Sequence, residues 1–219
     1  MNKLLIKRLL LSFVSMNFAV MLAPAFAAEL DSSIIRLQQD WAIANYQTTE
    51  ADLEKTFETL NQQAQDVVKQ FPGTAEPLIW QAIILSTDAG KNGGLSALGK
   101  VKEARKLLLE AEKINPQALD GSIYTSLGSL YYQVPGWPIG FGDDDEAKKY
   151  LSKALEINSQ GIDPNFFYGD FLMDQGQYAE AKQYFEKALQ APARPNRPNA
   201  DKGRRAEIAE KIKVLNSKL

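Results

Sequence analysis

One spacing recurs three times in this chain: Ala, three residues, Phe or Leu, two residues, Ala. It appears as Ala104, Leu108, Ala111, as Ala147, Leu151, Ala154 and as Ala181, Phe185, Ala188. Small residues flank a large apolar one at helical intervals, the pattern of a helix that meets its neighbours at close range. The frame extends through Pro116 after the first copy, Leu127, Gly128, Tyr131 and Gly142 before the second, and Gly169, Leu172, Gly176 and Tyr178 before the third. A repeat of this kind dictates an array of helical hairpins, because one hairpin is too thin to bury its apolar face alone. Such arrays mostly present a groove to something else.

The chain divides accordingly. Four hairpins are expected over about 30–72, 75–116, 119–159 and 162–190, the first with a degenerate frame of Leu60, Ala64, Val67 and Pro72. Phe71-Pro72-Gly73 ends the first, and Gln175-Gly176-Gln177 is the compact turn of the fourth. The second is expected to carry a long link, Asp88 to Gly94, between its helices. Pro192, Pro195 and Pro198 read as an extended connector, and a helix over about 200–217 closes the array with a polar outer face.

The first 27 residues stand apart. Lys3, Lys7 and Arg8 precede an apolar stretch, Leu9 to Leu22, and Ala25-Phe26-Ala27 fits a small-x-small cleavage site. The stretch falls short of the ~20 residues that span a bilayer, so we read a cleaved export signal, no membrane span after cleavage, and a periplasmic or secreted location. Its loss lowers Lys+Arg from 25 to 22 and leaves Asp+Glu at 27, a net charge of −5. That balance argues against a nucleic-acid partner. The chain has no Cys and no His. Disulfides, a lipid-modified cysteine and the commonest general base and metal ligand are thereby excluded. There is no phosphate loop or dinucleotide fingerprint, so neither enzymatic activity nor a cofactor is expected. Asp143-Asp144-Asp145-Glu146 lacks the oxygen spacing of a calcium loop and reads as a helix N-cap, so no metal is expected.

These residues resemble the tetratricopeptide repeat family, whose hairpin pattern is matched at Gly169, Gly176, Tyr178, Ala181, Phe185 and Ala188. The resemblance implies an all-α, right-handed stack of hairpins with a C-terminal capping helix. It also implies a concave face lined by the second, fifth, ninth and twelfth residues of each first helix. Carried onto this sequence these are Glu76, Ile79, Ile83 and Ser86; Ser122, Thr125, Ser129 and Tyr132; and Asp163, Phe166, Asp170 and Met173. The mixture suits a protein or peptide partner, or a small amphipathic solute. The competing reading is that the C-terminal helix or a neighbouring chain fills this groove as structure.

Between Tyr131 and Gly142 seven residues are added to the family pattern. This Pro/Gly/Trp loop followed by Gly-Asp resembles the periplasmic TRAP-transporter T-component family, which implies an accessory that assists solute capture beside a substrate-binding partner. Trp137 and Phe141 on the loop either contact a ligand or plug a gap between repeats. Arg194, Arg197, Arg204 and Arg205 gather charge near the C-terminus. Arg204 and Arg205 are anion candidates, unless the cluster pairs with acids such as Asp170 or Asp174.

Overall fold

The structure is a computed structural model that describes the backbone of residues 3–219 and the side chains of residues 24–219. Four antiparallel hairpins follow one another: α1 (Lys3–Tyr46) with α2 (Leu53–Gln70), α3 (Ala75–Asn92) with α4 (Ala97–Ile114), α5 (Ser122–Gln133) with α6 (Asp144–Ile157), and α7 (Ile162–Asp174) with α8 (Tyr178–Leu189). A last helix, α9 (Pro198–Asn216), completes the chain. No strand forms among the described residues; a lone bridge joins Gly136 to Gly142. The predicted export segment, 1–27, lies outside the described side chains up to residue 23. Among the described residues no helix is long and apolar enough to cross a membrane.

The repeated frame is the helix–helix contact itself. Ala104, Leu108, Ala111, Ala147, Leu151, Ala154, Ala181, Phe185 and Ala188 are all fully buried. Glycines opposite them set the approach. A Cβ on Gly128 would lie 2.5 Å from Leu151 Cγ and 3.1 Å from the Ala147 carbonyl oxygen, and one on Gly169 would lie 3.1 Å from the Ala181 carbonyl oxygen. Neither position has room for a side chain, so α5 and α7 touch the backbones of α6 and α8.

Two joins differ from expectation. The predicted link at Asp88–Gly94 is mostly helix: α3 continues through Asn92, and only Gly93 and Gly94 turn, both with positive φ. The cause is Asp88, nearly buried, which accepts from Asn92 Nδ2 at 2.7 Å and pairs with Lys100 of α4 at 2.8 Å. The extra residues of this repeat therefore lengthen both helices. Pro198 belongs to α9 instead of the extended connector. It occupies the first turn, where its missing N–H is no loss.

Packing divides into two apolar clusters. One runs continuously from α3 to α8 and takes in Ile208 and Leu215 of α9. The other joins Ile34, Leu37 and Trp41 of α1 and Phe57 and Leu60 of α2 to Trp80 and Ile84 on α3, and includes Ala200 of α9. α9 thus packs on α7 and α8 and also on α1. A Cβ on Gly203 would sit 2.5 Å from the Tyr46 ring, so the first and last helices are in close contact. The expected cap at one end is also a closure: the array curls until its last helix meets its first.

Candidate functional site

The closure leaves a central cavity of about 570 Å³. Its walls come from α1 (Trp41, Asn45), α3 (Trp80, Ile83, Ser86, Thr87), α5 (Ser122, Thr125, Ser126, Ser129), the start of α7, the connector 191–197 and α9. Hydroxyl-bearing residues of α3 and α5 and aromatic residues share the lining, an amphipathic mixture of the kind that small-molecule and short-peptide sites use. Lys91 and Asp120, both exposed, also line it.

One wall is an ion-pair network. Asp163 at the start of α7 accepts from Arg194 Nη1 at 2.5 Å and from Arg204 Nε at 3.0 Å. Arg194 Nε donates to Asp201 at 2.6 Å, and Arg204 Nη1 to Glu207 at 2.6 Å. The Tyr46 hydroxyl donates to Glu207 at 3.3 Å, which ties α1 into the same network. Burial pushes the Asp163 carboxyl up, but Arg194 and Arg204 more than reverse it and hold it far below the usual carboxylate range. Burial raises the Tyr46 hydroxyl to about 12. The Arg204 guanidinium also lies 4.1 Å from the centre of the Phe166 ring and 4.8 Å from that of Phe167, so the cation is paired and in cation–π contact as well.

The residues carried over from the family frame separate by hairpin. Ile83, Ser86, Thr125 and Ser129 line the cavity. Ile79 is fully buried and Phe166 nearly so; both are core, Phe166 beneath Arg204 and against Phe185. Asp170 pairs with Lys211 of α9 at 2.6 Å and accepts from the Tyr132 hydroxyl at 2.9 Å. Burial drives the Tyr132 hydroxyl well above its ordinary value. Met173 lies in a second, more open pocket of about 740 Å³ between the end of α1, α7 and α9, with Tyr46 and Lys211. α9 thus covers Asp170 of the fourth hairpin, while Ile83 and Ser86 of the second, Thr125 and Ser129 of the third and Asp163 of the fourth reach the cavity.

Three of the four arginines, Arg194, Arg204 and Arg205, have definite partners, and these are not Asp170 or Asp174. Arg204 is committed to Asp163 and Glu207. Arg205 donates to the carbonyls of Leu189 and Ala191 and so caps the end of α8. Neither presents a free guanidinium. Trp41, Trp80 and Arg197 line the cavity although the helix-A frame does not include them. Trp41 and Trp80 stand 6.0 Å apart edge-to-face, a pairing between hairpins that no local spacing announces.

The added loop is built around Phe141. Its ring packs edge-on against Tyr131 at 5.6 Å and lies 4.9 Å from the Arg105 guanidinium, which also donates to the Tyr131 hydroxyl at 3.0 Å. Backbone bonds from Gly142 N to Pro135 O and from Asp143 N to Tyr131 O fix the loop base. A Cβ on Gly142 would overlap the Val134 carbonyl oxygen, so only glycine closes it. Trp137 plugs nothing: it is 90% exposed at the tip, beside Ile139. Asp143 begins α6 as an N-cap, accepting from Glu146 N at 3.0 Å.

Residues 139–200 match the family described as Tetratricopeptide repeat. No curated protein sequence matches the chain. Among solved structures, a thermophilic TPR protein of Thermus thermophilus is similar with a TM-score of 0.55 at 15% identity, over 90% of this chain and 96% of that one. PilF of Pseudomonas aeruginosa aligns over 85% and 93% at 16% identity, but with a TM-score of 0.34, too loose to bear on the fold. Neither the matched family nor these neighbours carries the transporter-accessory resemblance. The repeated Ala/Gly frame, the stacked hairpins it builds, the family match over 139–200 and the likeness to the Thermus protein together give the chain a tetratricopeptide-type helical stack.

Proposed function

We propose that this protein is a non-enzymatic, exported adaptor that takes a short segment of a partner protein into the cavity between α3, α5, α7 and α9. The Trp137 loop makes a second contact outside the cavity. The tetratricopeptide fold supports a role in protein–protein interaction. The observation that carries the finer reading is that Ile83 and Ser86 of the second hairpin and Thr125 and Ser129 of the third line the cavity, while α9 covers Asp170 of the fourth. An extended segment would set apolar side chains against Trp41, Ile83 and Phe167 and its backbone against the hydroxyls of α3 and α5.

A photo-crosslinking residue at Ser129 in living cells tests this, with the same residue at the exposed Glu58 on α2 as control. A discrete protein adduct from Ser129 alone is expected; identical adducts at both positions, or none at Ser129, contradict the reading. Export is tested separately, since a cleaved chain recovered from cells begins at Ala28. The cavity volume, within the range of small-molecule sites, favours a second reading, a small amphipathic solute. Native mass spectrometry separates the two by the mass of what co-purifies.

A further inference from the structure

The network wall of the cavity holds three arginines and three acids, and the acids are all spoken for. Asp163 is shared by Arg194 and Arg204, Asp201 is held by Arg194, and Glu207 is held by Arg204 and Tyr46. Arg197 makes no ion pair and no side-chain hydrogen bond among the described residues. Its Nε is nonetheless buried without a partner, and its guanidinium lies 5.2 Å from the Trp80 ring centroid. Burial, with Arg194 and Arg204 nearby, pulls its pKa down to about 10 against the pull of Asp163 and Asp201, as expected of a half-buried cation without a direct partner.

Trp80 repeats the theme. It is 3% exposed, it lines the same cavity, and its indole N–H has no acceptor. The neighbouring Trp41 makes the contrast plain, because its indole N–H donates to Thr87 Oγ1 at 2.9 Å. Two unpartnered buried donors against one cavity wall are costly unless an acceptor arrives. The surrounding groups specify its charge. Arg194 and Arg204 take all the direct ion pairs, so Arg197 is the cation of this wall without a direct partner, while three arginines against three acids leave the wall without net charge, which suits a monoanion better than a doubly charged phosphate. The hydroxyls of Ser86, Ser126 and Ser129 line the same cavity, and Trp41 and Phe167 offer apolar surface.

We propose that Arg197, stacked on Trp80, is an anion site that anchors a carboxylate of whatever the cavity binds, with the connector supplying the charge and the repeat helices the apolar and hydroxyl surface. This rests on the binding role proposed above and names the group it recognises. The carboxylate has two sources, the end or an acidic side chain of a peptide, or a small organic acid.

Affinity selection on the purified chain tests it with four probes: a random heptapeptide mixture with free C-termini, the same mixture amidated and lacking Asp and Glu, octanoate, and octanol. At least one acid is expected to bind about tenfold tighter than its neutral counterpart. Arg197→Gln should erase that preference at unchanged melting temperature, and Arg197→Lys, which keeps the charge, should restore part of it. Free-acid peptides retained without octanoate identify a peptide carboxylate; octanoate retained without either peptide mixture identifies a small acid, upholding the anion site while defeating the protein-segment reading. Equal retention of acid and neutral peptides defeats the anion site and leaves groove binding standing. An acid preference that survives Arg197→Gln, or no retention of any probe, also overturns the proposal.

Discussion

The hairpin stack and the closure are held by opposite means. From α3 to α8, alanine and glycine bring backbones together around buried Leu108, Leu151 and Phe185, and polar pairs such as Asp88–Lys100 are few beside these apolar contacts. Where α9 and the connector meet α1 and α7, charged groups make the joint: Asp163, Arg194, Asp201, Arg204, Glu207 and Tyr46. Apolar contact is non-directional and tolerates pH and salt, whereas a buried ion-pair network depends on every partner staying charged. The stack therefore supplies most of the stability, and the closure supplies one side of the cavity.

The contrast breaks most visibly at Phe185. Phe185→Ala removes a fully buried ring from the stack and should cost about 3–5 kcal/mol, read as a shift of the whole urea transition. Gly169→Ala follows, at about 1–3 kcal/mol by overpacking against the Ala181 carbonyl and the Phe185 ring. Both should lower protection from hydrogen exchange throughout α3–α8.

A change at the closure should behave differently. Asp163→Asn leaves Arg194 and Arg204 with fewer partners and should cost about 1–3 kcal/mol, with exchange protection lost in α9 and the end of α1 while the hairpins keep theirs. Acid should reproduce this. The folded-state pKa of Asp163 is depressed, so the stability it contributes is complete above its unfolded value near ~4 and lost as pH falls below it. Exchange measured between pH 6 and pH 3 should show α9 loosening first, and Asp163→Asn should flatten that dependence. The smallest effect belongs to Trp137→Ala, within about 0.5 kcal/mol by denaturant titration, because the ring at the loop tip is exposed.

The same contrast marks what the sequence made legible. Stack contacts repeat at fixed intervals, so Ala147, Leu151 and Ala154 announce their own burial, and Gly128 and Gly169 mark close approach. The closure has no period. Asp163 finds Arg194 31 positions away and Arg204 41 away, and Tyr46 finds Glu207 across 161. Nothing local in the connector says that its arginines turn back onto α7. The Asp88–Gly94 segment misleads for a related reason. Gly90 reads as part of a turn, but the Asp88 contact to Lys100, made only once α4 is docked, keeps that turn of the chain helical. The cavity was half visible: Ile83, Ser86, Thr125 and Ser129 follow from the helix-A frame, while Trp41, Trp80 and Arg197 depend on how hairpins and connector meet.

Contact between α1 and α9 is the claim on which the cavity depends, and the cysteine-free chain makes it directly measurable. Spin labels at Gln47→Cys and Lys202→Cys, exposed positions at either side of that joint, report its separation by pulsed electron resonance. A single short, narrow distance that broadens on Asp163→Asn is the result predicted. A broad or long distribution in the parent chain would show that the first and last helices do not meet.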